Sequence, residues 1–558
     1  MMPRPVLALV LLVLTSLPAC SRAGDVQAGK AYFQANCSLC HDDSANQASF
    51  QGPPLFGVVG RKAGSAAGYD YSEAMKTAAA HGKAWNKDNL DAFLADPQAV
   101  APGTPMPVKV EARADRQNVI AYLATLRGTG KSVPAPAPTR TASGGGGSDW
   151  RLDAPGVRHR IDVADLPAPF ATPSAGNSVT VTTPADGALP RVPDGFEVSV
   201  FAQGLDGPRL LRTAPNGDLL VVESGRNRIE VFHNDGGRLS PDHRTLVDGL
   251  NNPFGIAFYP LDHPDHLYIA NVGSVVRTAW PTAGTLETVV AHLSTTGGHG
   301  TRDIVFSPDG KTMYVSVGSG SNVAEGMAAS PPGGAEAWQA AHGKGAGWGG
   351  EDGRAVVLAF DPDGGNRRVF ATGLRNCVGL GIRPTTDELY CSTNERDGLG
   401  DNLVPDYFTR VRQGQFFGWP WYYLGDHEDP RHAHERPDLA GQVTMPDVLF
   451  GSHSAPLGYA FYQPPAGGAH PFPQAYWGDA FVALHGSWNR ATRTGSKLVR
   501  VHFDNGKPAG DYEDFMTGLV VDDHTANGRP CGVAVGPDGA LYVSDDAGGR
   551  IWRIGPKP

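Results

Sequence analysis

Gly528-Arg529-Pro530-Cys531-Gly532-Val533-Ala534-Val535-Gly536-Pro537-Asp538-Gly539-Ala540-Leu541-Tyr542-Val543-Ser544-Asp545-Asp546 is the stretch whose reading decides the fold. A Gly/Pro turn leads into an apolar run, then Pro-Asp-Gly, then a second apolar run. Such a turn between strand-like segments signals a hairpin. The same phrase begins upstream at Gly207-Pro208-Arg209, Asn252-Pro253-Phe254, Gly300-Thr301-Arg302, Leu374-Arg375-Asn376 and Ala455-Pro456-Leu457. Its second strands fall at Leu219–Glu223, Leu267–Asn271, Met313–Gly318, Leu389–Thr393, Ala480–His485 and Leu541–Asp545. Six copies predict a six-bladed β-propeller, because a single blade has two faces to bury and must stack on neighbours. Phe196–Phe201 is expected to complete the last blade and join the chain's two ends. A pair of open β-sandwiches is the alternative, and it gives no reason for a sixfold recurrence.

The chain has 558 residues, more than one ordinary domain. With 19% charged residues, 72 Gly and 46 Pro, it reads as turn-rich and globular. A formal charge of −10 and scattered basic residues argue against a nucleic-acid partner. The expected order is an export signal over 1–20, a small all-α domain over 25–130, a linker over 131–148 and the all-β propeller over 149–558. Arg4 precedes the apolar run Val6 to Leu14, too short to span a bilayer. Leu17-Pro18-Ala19-Cys20 resembles a bacterial lipobox, which would attach the chain to a membrane by lipid at Cys20. Pro18 is unusual there, so ordinary cleavage near Ala23 stays open. Either reading predicts a periplasmic or exported protein.

Cys37-Ser38-Leu39-Cys40-His41 is the attachment signature of a c-type haem. Cys37 and Cys40 would bind the haem covalently and His41 would be its first axial ligand. Half a zinc site is the competing reading, but the chain has no second Cys-x-x-Cys. Gly29, Lys30, Tyr32 and Phe33 predict a helix leading into the motif, and Arg116 to Leu126 repeats apolar positions at helical spacing. Between them, Pro102-Gly103-Thr104-Pro105-Met106-Pro107 is a tight turn that presents a methionine. With Gly52-Pro53-Pro54-Leu55, Gly68-Tyr69-Asp70-Tyr71-Ser72 and Trp85, this region resembles the class I cytochrome c fold. The resemblance implies one covalent haem c with His41 and Met106 on its iron. Met75, in a helical stretch, is expected to pack.

Residues 132–148 are Pro/Ala-rich and then Gly/Ser-rich. As a coil they would span roughly 20–25 Å root mean square.

In the large domain, Arg209, Arg302, Arg375 and Arg529 recur at repeat starts, and Glu223, Asn271, Asn394 and Asp545 at second-strand ends. In a propeller these positions gather at one mouth of the central channel. Converging cations repel unless an anion sits among them. A structural ring of Arg–carboxylate pairs is the other explanation.

The phrases Gly298-His299-Gly300-Thr301-Arg302-Asp303, Gly373-Leu374-Arg375-Asn376, Asn394-Glu395-Arg396-Asp397, Gly400-Asp401-Asn402, Gly418-Trp419-Pro420 and Ser544-Asp545-Asp546 are similar to the glucose/sorbosone dehydrogenases. These depend on pyrroloquinoline quinone (PQQ), and the sorbosone and pyranose branch is nearest. The resemblance implies a sugar substrate, PQQ and calcium. It makes His299 the base that takes the hydroxyl proton, and Arg375 the stabiliser of developing charge. Asn376, Arg529, Arg490, Trp488 and Arg209 are expected around PQQ, with Lys497 as an alternative to Arg490. Arg396 and Asp397 are expected to bind calcium through backbone carbonyls. Trp419, Trp421 and Tyr422 could hold a sugar ring, with packing an equally good explanation for Trp419, and the Gly-rich insert Gly318–Gly353 could form a lid.

Fusion to a haem domain implies a quinohaemoprotein dehydrogenase that hands electrons to a periplasmic acceptor, a cytochrome or terminal oxidase. The alternatives are a working cytochrome with the propeller as a docking module, and a propeller lactonase or lyase with a channel metal. The latter calls for several inward His or carboxylate ligands, where arginines stand instead. Cys377 and Cys391 flank one hairpin, and either a disulfide or free thiols fits them.

Overall fold

The computed structural model describes residues 24–37, 41, 43, 52–66, 69, 71–80, 84–104, 106, 108–127, 149–183, 187–295, 297–465 and 471–557. Cys20, Cys40 and the 131–148 linker therefore lie outside the described residues. The chain divides into two compact units, one helical and one β.

The helical unit holds helices Val26–Asn36, Glu73–Ala80, Lys87–Ala95, Pro97–Val100 and Arg113–Leu123. Asp25 caps the first, its carboxylate accepting from the backbone N–H groups of Gln27 and Ala28 at 2.9 and 3.1 Å. The first and last helices touch at Gly29, where a Cβ would lie 1.9 Å from the Asn118 carbonyl oxygen. Phe33, Leu90, Val119, Tyr122 and Leu123 form the core, with Met106 and Cys37 packed at its edge. Met75 is buried among Tyr71 and Phe93, a packing residue as expected.

The β unit is a six-bladed propeller. Four-stranded sheets begin at Pro208, Gly255, Ile304 and Asn376; the fifth begins at Pro456 and the sixth at Pro530. The last sheet is closed by Phe196–Gln203 pairing antiparallel with Arg550–Pro556, so the chain's two ends share a blade. The innermost strands meet their neighbours directly. Gly255 N donates to the Arg302 carbonyl at 2.8 Å, and Arg212 Nε to that of Ile256 at 3.2 Å. A Cβ on Gly532 would lie 2.2 Å from Arg209 O, and one on Gly458 2.8 Å from Cys531 O. The axis thus demands glycine on these strands. Leu210, Ile256, Val378, Leu457 and Cys531 join one buried cluster around it.

Two features go beyond the repeat pattern. Cys377 and Cys391 form a disulfide across the first hairpin of the fourth blade. Residues 149–183 run as a strap over the propeller: Arg158–His159 adds a fifth strand to the fifth blade, and Thr180–Val181 pairs with Thr525–Ala526. The strap is locked by Lys497, whose ammonium lies 2.7 Å from a carboxylate oxygen of both Asp153 and Asp514. Lys497 is therefore a structural cation on the third strand of its blade, and the expectation that it meets a cofactor carboxylate is corrected. No helix among the described residues is long and apolar enough to cross a membrane.

Lys497→Met leaves two buried carboxylates without their cation. It should cost about 3–5 kcal/mol, read as a lower denaturation midpoint and earlier proteolysis in the strap. An unchanged midpoint would contradict this account of the strap.

Candidate functional site

The site is built where the third and fourth blades meet. Gly318 directly follows the second strand of the third blade, Met313–Val317, and a Cβ there would lie 2.3 Å from Asn376 Oδ1 and 2.8 Å from His299 Cβ. The missing side chain lets His299 and Asn376 flank the same point. Ser319 N donates to the Arg375 carbonyl at 2.6 Å, which brings Arg375 to the same place. The structure thus gathers His299, Arg375 and Asn376 as expected.

The protonation of His299 follows from its partners. Nδ1 lies 2.9 Å from both the carbonyl oxygen and Oγ of Ser319. A carbonyl only accepts, and the Ser319 hydroxyl proton goes to the Ser321 carbonyl at 2.6 Å. Nδ1 therefore carries the ring proton, and the lone pair sits on Nε2. Nε2 has no hydrogen-bond partner among the described residues. Burial, then the charge of Arg375, pulls the imidazole pKa down to about 3. The ring is neutral at ordinary pH and ready to accept a proton.

Arg375 donates through Nε to Asn322 O at 3.2 Å, and through Nη2 to Asn322 Oδ1 at 3.0 Å and Asp397 Oδ2 at 3.2 Å. Its Nη1 has no partner among the described residues. Burial raises the Asp397 pKa, but Arg375 and His453 outweigh it and hold the carboxyl below its usual range. Asp397 also accepts from Asn489 Nδ2, while His453 Nε2 donates to the Gly400 carbonyl at 3.0 Å. Asn376 Oδ1 is buried without a partner. A buried acceptor without a partner is available to a donor brought by a ligand.

Asn489 links this group to a second one. The loop 485–490 offers the His485 and Gly486 carbonyls to Arg529, at 3.2 Å from Nε and 2.8 Å from Nη2. Arg529 has no carboxylate within ion-pair distance, and its Nη1 is unpartnered among the described residues. Arg209 is neutralised by Asp546 at 2.7 Å, and the other oxygen of Asp546 meets His485 Nε2 at 2.8 Å. Burial and Arg529 depress His485 to about 4. Arg529 makes no ion pair among the described residues, although Asp546 acts on it at longer range. Trp488 is half-buried in the same loop, and its carbonyl accepts from Asn177 N at 2.6 Å. Arg490 is buried against Asn402 Oδ1 at 2.8 Å, away from any carboxylate partner.

Several expectations are corrected. Arg302 is not a mouth cation: it is wholly buried and bonds only backbone carbonyls. Trp419, Trp421 and Tyr422 are buried beneath the insert, where the Trp421 and Trp419 N–H groups donate to Gly345 O and Asn322 O at 2.9 Å. They are core residues and not a sugar platform.

The Asp397 carbonyl does not fit calcium. The Asp397 carbonyl already accepts from Asn322 Nδ2 at 3.0 Å and Arg431 Nη1 at 2.7 Å, which uses both lone pairs. Arg396 is a buried structural cation between Glu395 and Asp429, at 2.9 and 3.2 Å. Among the described residues, Asp153, His159 and Asp514 alone gather as potential metal ligands, and Lys497 already supplies the charge there.

Sequence reading missed Asn322, Ser319, His453, Asn489, Arg354 and the His485–Asp546 pair. Asn322 lies 53 residues from Arg375, inside an insert without a repeat signature, so no spacing could reveal it.

In the haem segment, His41 Nδ1 lies 2.7 Å from the Pro53 carbonyl. That carbonyl fixes the proton on Nδ1 and leaves Nε2 to bind iron. A Cβ on Gly52 would lie 2.3 Å from His41 Cε1, so the ring is held against glycine. Cys37 and Met106 belong to the helical unit. Cys40 lies outside the described residues.

Residues 26–127 match the cytochrome c family, and residues 190–407 and 428–557 match the family described as TrAA12-like. Cytochrome c of Euglena viridis is 39% identical over 105 residues, 19% of this chain and 99% of that protein. An uncharacterized protein of Borreliella burgdorferi is 24% identical over 396 residues, 68% of this chain and 94% of the relative. The holo PQQ domain of pyranose dehydrogenase from Coprinopsis cinerea shares the fold at TM-score 0.53 and 22% identity, over 68% of this chain and 100% of that one. The calcium structure of the family AA12 enzyme from Trichoderma reesei does so at TM-score 0.52 and 21% identity, over 68% and 99%. The chain joins a cytochrome c domain at its N-terminal end to a propeller of the TrAA12-like family, and it is to that family that it belongs.

Proposed function

We propose that this protein is an exported, PQQ-dependent sugar dehydrogenase whose electrons leave through its own haem c. The observation that carries the reading is His299: a half-buried, neutral imidazole with its tautomer fixed, an Nε2 unpartnered among the described residues, and Arg375 and Asn376 beside it. A docking module has no use for such a base.

The residues present suit an anionic quinone. Arg529 offers a guanidinium with no ion pair among the described residues, Arg209 one paired with Asp546, and Trp488 a half-buried ring in the loop that positions Arg529; Asn376 Oδ1 is an unpartnered acceptor for a donor on the ligand. PQQ, when bound, supplies the two-electron acceptor, and haem c the one-electron outlet. His299 Nε2 takes the proton of a sugar hydroxyl or hydrated aldehyde, and the Ser319 carbonyl holds the imidazolium through Nδ1–H. Arg375 Nη1 faces the charge that develops on the acceptor side, while Asp397 fixes the guanidinium plane.

Entry of the linker also supports the reading. Residue 149 begins the strap, and Trp150 Nε1 donates to Asp523 Oδ1 at 2.9 Å. The same oxygen accepts from Arg493 N at 3.2 Å, and Arg493 anchors the loop of Trp488 through the Ser487 carbonyl. The strap therefore begins beside the loop cluster of the proposed site. The physiological acceptor in this reading is a periplasmic cytochrome or terminal oxidase, and lipid at Cys20 would hold the chain at a membrane.

His299→Gln should lower kcat by about 10²–10⁴-fold with PQQ binding retained. Because burial and Arg375 disfavour the protonated ring, wild-type kcat/KM should stay level as pH falls through 6.5 and decline only as pH approaches about 3. Full activity in the glutamine variant would refute the assignment.

Arg529→Ala should weaken PQQ binding about 10–100-fold in ultraviolet–visible titration, as expected on losing a charge-assisted contact. Unaltered affinity would remove Arg529 from the cofactor site.

Adding an aldose to PQQ-loaded protein should produce the reduced haem spectrum without added dye. If the haem stays oxidised while sugar is consumed, the outlet lies elsewhere.

A further inference from the structure

Behind His299 lie two guanidinium groups that the proposed reaction does not itself use. Arg302 and Arg354 are 0% and 1% exposed. Arg302 Nη1 donates to the His299 and Thr301 carbonyls at 2.9 and 2.7 Å, and Nη2 to that of Ser294 at 2.7 Å. Arg354 Nη1 donates to the same Ser294 oxygen at 2.8 Å, and Nη2 to the His299 and Ser319 carbonyls at 2.9 and 2.7 Å. Two like charges thus converge on two shared carbonyls. Neither makes an ion pair among the described residues. Glu351, the nearest acid to Arg354, spends its oxygens on Gly320 N and the Ser321 hydroxyl at 2.6 and 2.5 Å. Burial pulls both arginines down, to about 9 and 10, and in Arg302 the charge of Arg354 adds to it.

A buried cation without a carboxylate is costly, and two together more so. Stability alone favours a neutral residue at one of these positions, so the pair marks a site where the fold gives up stability for geometry. We propose that Arg302 and Arg354 are positioning residues for the His299 base, acting through the backbone that carries it. The link is continuous: Arg354 Nη2 holds the Ser319 carbonyl, and that oxygen also receives His299 Nδ1–H. Arg354 fixes where the acceptor points, the acceptor fixes the ring, and the ring aims Nε2. Arg302 pins the His299 carbonyl from the other side.

The charge has a second effect. Facing His299 are Arg375 and Asp397 from the fourth blade, Arg354 from the end of the insert, and Arg302 from its own loop. Arg354 opposes protonation of the ring, and its hydrogen bond to Ser319 O weakens that oxygen as a partner for an imidazolium. Both hold the base neutral.

This inference rests on His299 as the base, so its test reads the ring apart from turnover. Carbethoxylation of His299 Nε2 by diethyl pyrocarbonate, mapped by mass spectrometry on the full chain, follows the neutral fraction with pH. Arg354→Gln should move the midpoint of that reaction upward by at least half a pH unit and lower kcat about tenfold or more at unchanged KM. Arg354→Lys keeps the charge and loses the fork, so the midpoint should stay near wild type while kcat falls. A folded Arg354→Gln protein with wild-type midpoint and kcat overturns the proposal. Should that variant not fold, wild-type kcat in Arg354→Lys overturns it instead. If His299→Gln remains active, the reaction assignment fails, and the shift in carbethoxylation midpoint still decides whether Arg354 sets the ring.

Discussion

Six inner strands meeting at one axis is the constraint on which the rest of the propeller depends. Their backbones approach so closely that Gly255, Gly458 and Gly532 have no room for a Cβ. Where the strands leave the axis, polar ends converge whether or not their charges match. The fold therefore manufactures a polar mouth, and each arginine there is either paired with a carboxylate or carried on backbone carbonyls. Arg209 is paired with Asp546 and Arg529 rests on the His485 and Gly486 carbonyls, while behind the mouth Arg302 and Arg354 are spread over carbonyls too.

These differences give the mouth its chemistry. A ring of perfectly matched pairs would be inert. A ring of free cations would repel itself apart. Arg375, held by Asp397 and Asn322 with Nη1 unused, sits between those limits beside a histidine whose proton is confined to Nδ1. The insert between the second and third strands of the third blade supplies Asn322 and Glu351, and the loop between the second and third strands of the fifth supplies Asn489. The site is consequently a property of several blades and cannot be assembled from one repeat.

The strap over residues 149–183 is bound to the propeller along its length. It follows the linker, adds a strand to the fifth blade, and is fixed by the buried Lys497 between Asp153 and Asp514. Asn177, farther along, donates to the Arg490, Ala491 and Asp523 carbonyls at 3.1, 3.1 and 2.7 Å. The segment that tethers the cytochrome c domain is thus bonded to the loop that carries Trp488 and Arg490.

The linear chain by itself determined the haem signature, the repeat count and a closing strand at Phe196–Phe201, whereas His299 entered through the family resemblance. The first three are encoded by local spacing: a Cys-x-x-Cys-His run, a hairpin turn at a fixed place, an alternation of apolar residues. The disulfide stood open between two readings until Cys377 and Cys391 were seen across one hairpin. Tertiary structure alone decided which charges are free. Lys497, Arg396 and Arg302 read like cofactor or mouth residues, yet each is sealed by partners distant in sequence or by carbonyls. Trp421 and Tyr422 read like a sugar platform and are buried core. The reason is physical: a residue's charge and exposure depend on everything within a few ångströms. In a propeller those neighbours come from other blades, inserts and the strap, at separations that no sequence pattern records.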